Sequence, residues 1–311
     1  MNIDLSEEAF AYGREAQRAL GAAGGDELVK RAEADPASRA GLVEPLLGDL
    51  GAWDLDPRGD ADDLEAAAAL SRAFGYWAAP YPIAERLARP AGSDGLVVVA
   101  DRHPEGAVAG LDLRWTTVTL DGARGVATAV PSDARARDTA FVTALDVRSE
   151  GEADVRDVAL GLVLPCWTLL GMLDRAMELT REHVLVRRQF GKPLADKQGV
   201  QFQLTDAEVE RAGVAMLARY ALWSVQDGRA EAVHDALALR LAVIEAAETV
   251  LRTCHLLHGA VGFCDEAALS WISRYSQPLR RLPYGVSGTG ARLARSIGRD
   301  GLTGLFSEVT A

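Results

Sequence analysis

Beyond residue 150 the chain is almost unbroken helix, and this constrains its fold more than any other feature. Apolar residues recur at three- and four-residue intervals over roughly 158–187, 197–227 and 230–258, which predicts three long amphipathic helices. In the first, Leu169, Leu173, Ala176, Met177 and Val184 form one stripe, interrupted only by Thr180. Arg175, Glu178, Arg181 and Glu182 lie off it. Long amphipathic helices joined by short turns bury their stripes against one another, so an antiparallel bundle is expected, completed by a shorter helix after Gly288.

The rest of the chain divides around this bundle. Four helical segments, EEAFAYGREAQRAL, ELVKRAEA, GLVEPLLGDL and ADDLEAAAALSRAFGYWAA, fill the first ninety residues. LVVVA, RWTTVTL, RGVATAV and TAFVTAL then follow, short, β-branched and separated by Gly, Asp and Pro. The expected architecture is mainly α with a small β middle domain: an N-terminal helical domain (1–90), a reduced β domain (91–150) and a C-terminal helical bundle (151–311). Neither repeats nor low-complexity segments interrupt it.

A net charge of −12 over 311 residues repels polyanions, which disfavours nucleic acid and anionic membranes as partners. The uncharged helical run between Asp157 and Asp174 contains Pro165 and is shorter than the roughly 20 residues that a membrane span needs. MNIDLSEEAF has neither a basic nor an apolar leader region, and three widely spaced cysteines suit a reducing compartment, so the cytoplasm is the expected location. No metal site is expected from the five histidines, because His255 and His258 have no carboxylate at helical spacing. Phosphate-loop and nucleophile-elbow motifs are absent, and GTGARL at Gly288 lacks both the third glycine and the preceding strand of a dinucleotide fingerprint.

Three stretches carry chemical promise. VRRQFGKPL (186–194) puts arginines at the end of a long helix, just before Gly191. An arginine there either complements the helix dipole or aims a bidentate cation at a phosphate. LHGAVGF (257–263) ends the third long helix with Gly259 and Gly262, either as an ordinary stop or as backbone that a ligand can approach closely. Residues 267–299 hold six arginines (Arg274, Arg280, Arg281, Arg292, Arg295 and Arg299) and no acid, either a solvated helix face or a phosphate site.

VRRQFGKPLADKQGVQFQLTDAEVE, followed about fifty residues later by LHGAVGFCDE, closely resembles the C-terminal domain of the acyl-CoA dehydrogenases. The resemblance implies that family's fold, with a helical domain, a middle β domain and a C-terminal four-helix bundle. It also implies FAD as cofactor. By the same resemblance Arg187 reaches the FAD of a neighbouring subunit, with Gln189, Phe190 and Gln198 near the adenine end. His258, Gly259 and Gly262 lie along the neighbour's pyrophosphate and ribose.

The departures are as informative. DGARGVATAV carries no counterpart of the family's flavin-holding Trp-Ile-Thr-Asn motif, since Trp115 and Thr116 come too early, and Leu256 stands where a glutamine is common. Removal of the α-proton needs a carboxylate. The family's usual base position is occupied by Ser287, and 267–299 contain no acid at all. The alternative position, on the first long helix, is Gly161. Asp157, one turn away, is a remote candidate and better suited to an N-cap or surface role. No catalytic residue is therefore assigned.

A chain that keeps what a neighbour needs and lacks its own flavin cradle and base resembles the shorter, non-catalytic subunit of heteromeric α2β2 dehydrogenases of bacterial steroid side-chain breakdown. This implies a longer, glutamate-bearing partner and a bulky, steroid-derived acyl-CoA. Two alternatives stay open: a homomeric flavoenzyme with an unusual base, and a non-enzymatic scaffold. The uncharged 158–173 run and the apolar faces around 217–223 are the expected subunit interface.

Overall fold

A computed structural model describes residues 2–109, 111–130 and 141–300, with side chains to 298. The first two residues of TAFVTAL, the Arg299 side chain and the last part of the expected 151–311 domain lie outside the described residues. The N-terminal helices are α1 (Glu7–Ala23), α2 (Glu27–Ala34), α3 (Arg39–Asp49), α4 (Ala61–Tyr76) and α5 (Ile83–Leu87). Ser6 and Asp60 begin α1 and α4 as N-caps, their side chains accepting from Ala9 N and from Asp62 N and Asp63 N.

Five strands follow: β1 (Gly95–Val98), β2 (Glu105–Gly106), β3 (Trp115–Val118), β4 (Ala123–Ala129) and β5 (Thr143–Glu152). They form one sheet in the order β1-β3-β4-β5-β2. β1 runs parallel to β3 and the other pairs are antiparallel, with a register shift between Arg124 and Gly125. Trp115, Val97, Val99, Val108, Ala127 and Leu145 give the sheet a small core of its own.

The C-terminal part consists of α6 (Val155–Val186), a hairpin of β6 (Arg188–Gln189) and β7 (Lys192–Pro193), then α7 (Gln198–Gln226), α8 (Ala232–His258), α9 (Ala268–Arg281) and α10 (Val286–Asp300). α9 falls in the basic stretch and is an additional helix, not a loop before the last one. It buries Leu269, Ile272, Tyr275 and Leu279. Arg274 stacks on Trp271 and pairs with Asp265 at 2.7 Å, while Arg292 of α10 lies over Tyr284. Arg274 and Arg292, two of the six arginines of the stretch, are thus engaged within the chain.

α6 is the axle of the molecule, packing against α4, α7, α8, α9 and β1. It is 32 residues long, and its most apolar 18-residue window has a mean hydropathy of 1.5. By length and composition it could cross a membrane, which corrects the shorter estimate from sequence, but 78% of that window is buried inside the chain, as befits a core helix. Two glycines set its closest approach. A Cβ on Gly75 of α4 would run into the Thr168 carbonyl, and one on Gly171 into the Arg72 carbonyl, so α4 and α6 touch backbone to backbone. The 158–173 run is consumed by this core, and Ala218, Ala221 and Leu222 are likewise buried. Leu217, Tyr220 and Trp223 of the second expected interface stay partly exposed.

Gly75→Ala and Gly171→Ala should each lower stability by about 3 kcal/mol or more, since a methyl would have to displace backbone. Gly213→Ala, on α7 with nothing within 4 Å of its added Cβ, should be neutral or stabilise by up to about 1 kcal/mol. Thermal midpoints of the three full-length variants test this; a Gly75→Ala chain as stable as the parent would contradict the backbone contact.

Candidate functional site

Gly161 lies in the N-terminal half of α6, directly under β1. A Cβ there would stand 2.7 Å from Val98 Cγ2 and 3.0 Å from Leu96 Cδ2. The space around it, lined by Glu85, Val98, Glu105, Gly161, Arg240 and Pro283, is about 30 Å³. That admits one or two water molecules and no flavin ring or acyl chain. The residues at the chain's own base position therefore do not fit a flavin of its own. Ser287 is exposed in the first turn of α10, and its neighbour Thr289 is buried with its hydroxyl donating to Tyr284 O at 3.0 Å.

Asp157 is neither an N-cap nor a surface carboxylate. The cap of α6 is Asp154, whose side chain accepts from Arg156 N at 2.8 Å. Asp157 is buried and paired with Arg58, and Arg58 also donates to Arg89 O at 3.0 Å and Ala88 O at 2.6 Å. Held toward the N-terminal helices by this pairing, its carboxylate is tied up as a structural anion.

Two polar residues near Gly161 escaped the sequence reading. Arg240 is buried in α8, and its guanidinium donates to the carbonyls of Leu279, Leu282 and Tyr284, stapling the turn between α9 and α10. Its signal was an arginine inside the apolar run ALALRLAV. Glu85, on α5, is half-buried, and loss of solvent pushes its carboxyl up to about 7. Nothing in IAERL marks it.

At the other end of α6 the geometry is open. Arg187 caps the helix: its N–H donates to His183 O at 2.9 Å and its carbonyl accepts from Leu194 N at 2.8 Å. The backbone is thus pinned from both sides, while the side chain is exposed and makes no hydrogen bond or ion pair among the described residues. Gln189 pairs with Lys192 in the hairpin. At its tip Phe190 (φ 52°) and Gly191 (φ 77°) are both left-handed, as a two-residue turn requires. Such backbone costs an aromatic residue on the order of 1 kcal/mol or more. Phe190 is nevertheless 94% exposed, with only the Lys197 ammonium over its ring at 5.2 Å. Gln198 is exposed in the first turn of α7.

α8 ends beside α6. His258 stacks on His183, with ring centroids 4.5 Å apart, and its Nδ1 lies 2.9 Å from Cys254 O. Gly259 (φ 65°) is the C-cap of α8, exposed, with nothing within 4 Å of an added Cβ. Gly262 is buried, and a Cβ there would come within 2.8 Å of His258 Cβ. The structure thus brings Arg187, the hairpin, Gln198, His258, Gly259 and Gly262 to one end of the bundle. Around them Leu185, Val186, Phe190, Phe202, Leu256, Val261 and Phe263 are each 59–94% exposed. The Arg187 guanidinium, without a hydrogen bond or ion pair among the described residues, is a fork of donors that fits a diphosphate, and Gly259, whose own N–H donates to His255 O, contributes only the space left by its missing side chain. A rim of large apolar side chains in water marks a contact surface.

Residues 162–300 match the family model for the acyl-CoA dehydrogenase C-terminal domain. Among curated proteins, (R)-benzylsuccinyl-CoA dehydrogenase of Thauera aromatica is 27% identical over 104 residues, 33% of this chain and 26% of that enzyme. The chain therefore aligns with about a quarter of that relative's length. Among solved structures, the ChsE4-ChsE5 complex from Mycobacterium tuberculosis superposes with a TM-score of 0.77 at 19% identity, covering 96% of this chain and 99% of that one. The Tcur3481-Tcur3483 steroid ACAD gives the same TM-score and identity over 94% and 98%. The fold is that of the acyl-CoA dehydrogenases.

Glu85 gives a pH test of the closed end. Its folded-state pKa of about 7 lies above the ordinary 4.5, so its proton is held more tightly in the folded chain. The associated stability is full below about pH 4.5 and is lost as pH rises through 7. Glu85→Gln should raise the thermal midpoint by a few degrees at pH 8 and leave it unchanged at pH 4.5. Equal midpoints at pH 8 would show that the carboxyl is freely hydrated.

Proposed function

From a chain that has the acyl-CoA dehydrogenase fold and carries that family's C-terminal domain at residues 162–300, we propose a non-catalytic subunit that completes the FAD site of a longer partner of the same fold. One contrast carries this reading: Arg187 stands exposed and unpaired inside an apolar rim, while β1 closes the space over Gly161. In this reading Arg187 grips the diphosphate, Gly259 lets it approach the backbone, and Phe190 with Gln189 and Gln198 borders the adenine. The apolar rim docks on the partner, and obligate contacts of this kind bury more than about 2,000 Å².

FAD supplies the hydride acceptor for α,β-desaturation of an acyl thioester; the carboxylate that takes the α-proton belongs to the partner, because Ser287 and Gly161 cannot act as bases. A bulky, steroid-derived acyl-CoA and an α2β2 assembly are proposed from the likeness to the ChsE4-ChsE5 complex and the Tcur3481-Tcur3483 steroid ACAD. One observation favours a homomeric enzyme instead: Glu85 places a carboxyl beside Gly161. The volume of about 30 Å³ around it speaks against that reading.

The purified chain alone should be colourless and inactive toward acyl-CoAs, which absorbance and turnover assays will check. In the assembled complex Arg187→Ala should weaken flavin binding by about 2–5 kcal/mol, or roughly one to three orders of magnitude. Arg187→Lys should recover part of the loss, and Arg188→Ala should matter little. A yellow, active chain without a partner, or equal flavin retention by Arg187→Ala and Arg188→Ala, would overturn the proposal.

A further inference from the structure

The two histidines beside Arg187 form a stack whose role the proposed function leaves open. His258 lies on α8 and His183 on α6, one turn before Arg187, and their rings are tilted by only 19°. The 2.9 Å contact from His258 Nδ1 to Cys254 O requires Nδ1 to carry a proton and donate. The proton that converts neutral His258 to imidazolium must therefore add at Nε2, which has no partner among the described residues. Neither nitrogen of His183 has one either. No carboxylate is hydrogen-bonded to either ring.

α6 contributes Arg187 and the Thr180 hydroxyl, which donates to Ala176 O at 2.7 Å and stands 3.5 Å from His258 Nδ1. α8 contributes the buried Cys254 thiol and His255, whose ring stacks on Phe263 at 4.3 Å. The segment after β6 and α7 presents Leu194, Val200 and Leu204, which pack with Val184 and Leu257. Burial holds His258 below the ordinary histidine range. It does the same for His183, with the charges of His258 and Arg187 lowering it further. Burial therefore favours the neutral form of both rings, beside the fixed cation of Arg187.

We propose that His183 and His258, together with Arg187, form a proton-linked site for a dinucleotide diphosphate, in which binding draws one proton onto the stacked pair. The inference rests on the reading of Arg187 as a cofactor-facing cation. A dianion set against Arg187 removes the repulsion that keeps the pair neutral and supplies the missing counter-charge. Two imidazoliums stacked at this distance would repel each other, so the pair takes up one proton as a unit.

The test is an NMR titration of the histidines in the full-length chain, with and without saturating inorganic pyrophosphate. Pyrophosphate should raise the apparent pKa of the pair by about one unit, and the part of its affinity that depends on the pair should fall by roughly three- to sixfold from pH 6 to pH 8. His183→Gln should flatten that slope while binding at pH 8 stays within about twofold. Binding that depends on Arg187 but leaves the histidine titration unmoved would overturn the inference and spare the proposed function. Pyrophosphate binding that ignores Arg187→Ala would overturn both. FAD and coenzyme A both carry a diphosphate; FAD should shift the histidines at concentrations where coenzyme A does not, and the reverse order would refute the flavin assignment.

Discussion

The glycine contacts of α6 are what the rest of the structure depends on. At Gly171 the helix meets the backbone of α4, and at Gly161 it meets the side chains of β1, with no Cβ between. The first contact fuses the N-terminal helices to the bundle through one continuous apolar core. The second brings the sheet down onto the helix and fills the space where the family's alternative base would stand. The same helix then runs on to Arg187. Twenty-six residues separate Gly161 from Arg187 in sequence, roughly 40 Å of helix. One end is closed by packing and the other is left open to a neighbour.

Charge pairing reinforces this division. The chain is acidic overall, and several of its arginines are committed to carboxylates: Arg72 and Arg211 share Asp174, Arg175 holds Asp26 and Glu178, and Arg58 holds Asp157. Arg72–Asp174, Arg175–Asp26 and Arg58–Asp157 tie the N-terminal region to α6. In water such pairs contribute little, but partial burial and shared partners make them geometric ties. Arg187 is outside this network, its side chain exposed and without a hydrogen bond or ion pair among the described residues, near the stacked rings of His183 and His258. The proposed function takes this exposed guanidinium as the group that meets an incoming anion.

Much of the architecture was legible because it is periodic. The stripe from Leu169 to Val184 specified a long amphipathic helix, and the turn residues around the β-branched segments separated the strands. The β6–β7 hairpin was not legible, since VRRQFGKPL read only as a helix end followed by Gly191. What escaped was local in structure but remote in sequence. Glu85 is 76 residues from Gly161 and reaches the same small cavity only because α5 packs on β1 and α6. Asp157 read as a surface acid because its partner, Arg58, lies 99 residues earlier. The arginine-rich segment read as one electropositive patch because linear sequence hides that Asp265 and two aromatic rings already hold Arg274 and Arg292. The close α4–α6 approach was silent because glycines inside helices look merely unfavourable until the partner backbone is seen.

The central claim, that this chain contributes to a flavin site it does not own, comes down to a count. The decisive measurement is FAD released per polypeptide from the complex purified with its longer partner, by absorbance after denaturation and amino-acid analysis of each chain. The account predicts one FAD per partner chain and none in addition, that is, one flavin for every two polypeptides in an equimolar complex. Two flavins per pair would mean that the space over Gly161 opens to hold a cofactor, and would contradict it.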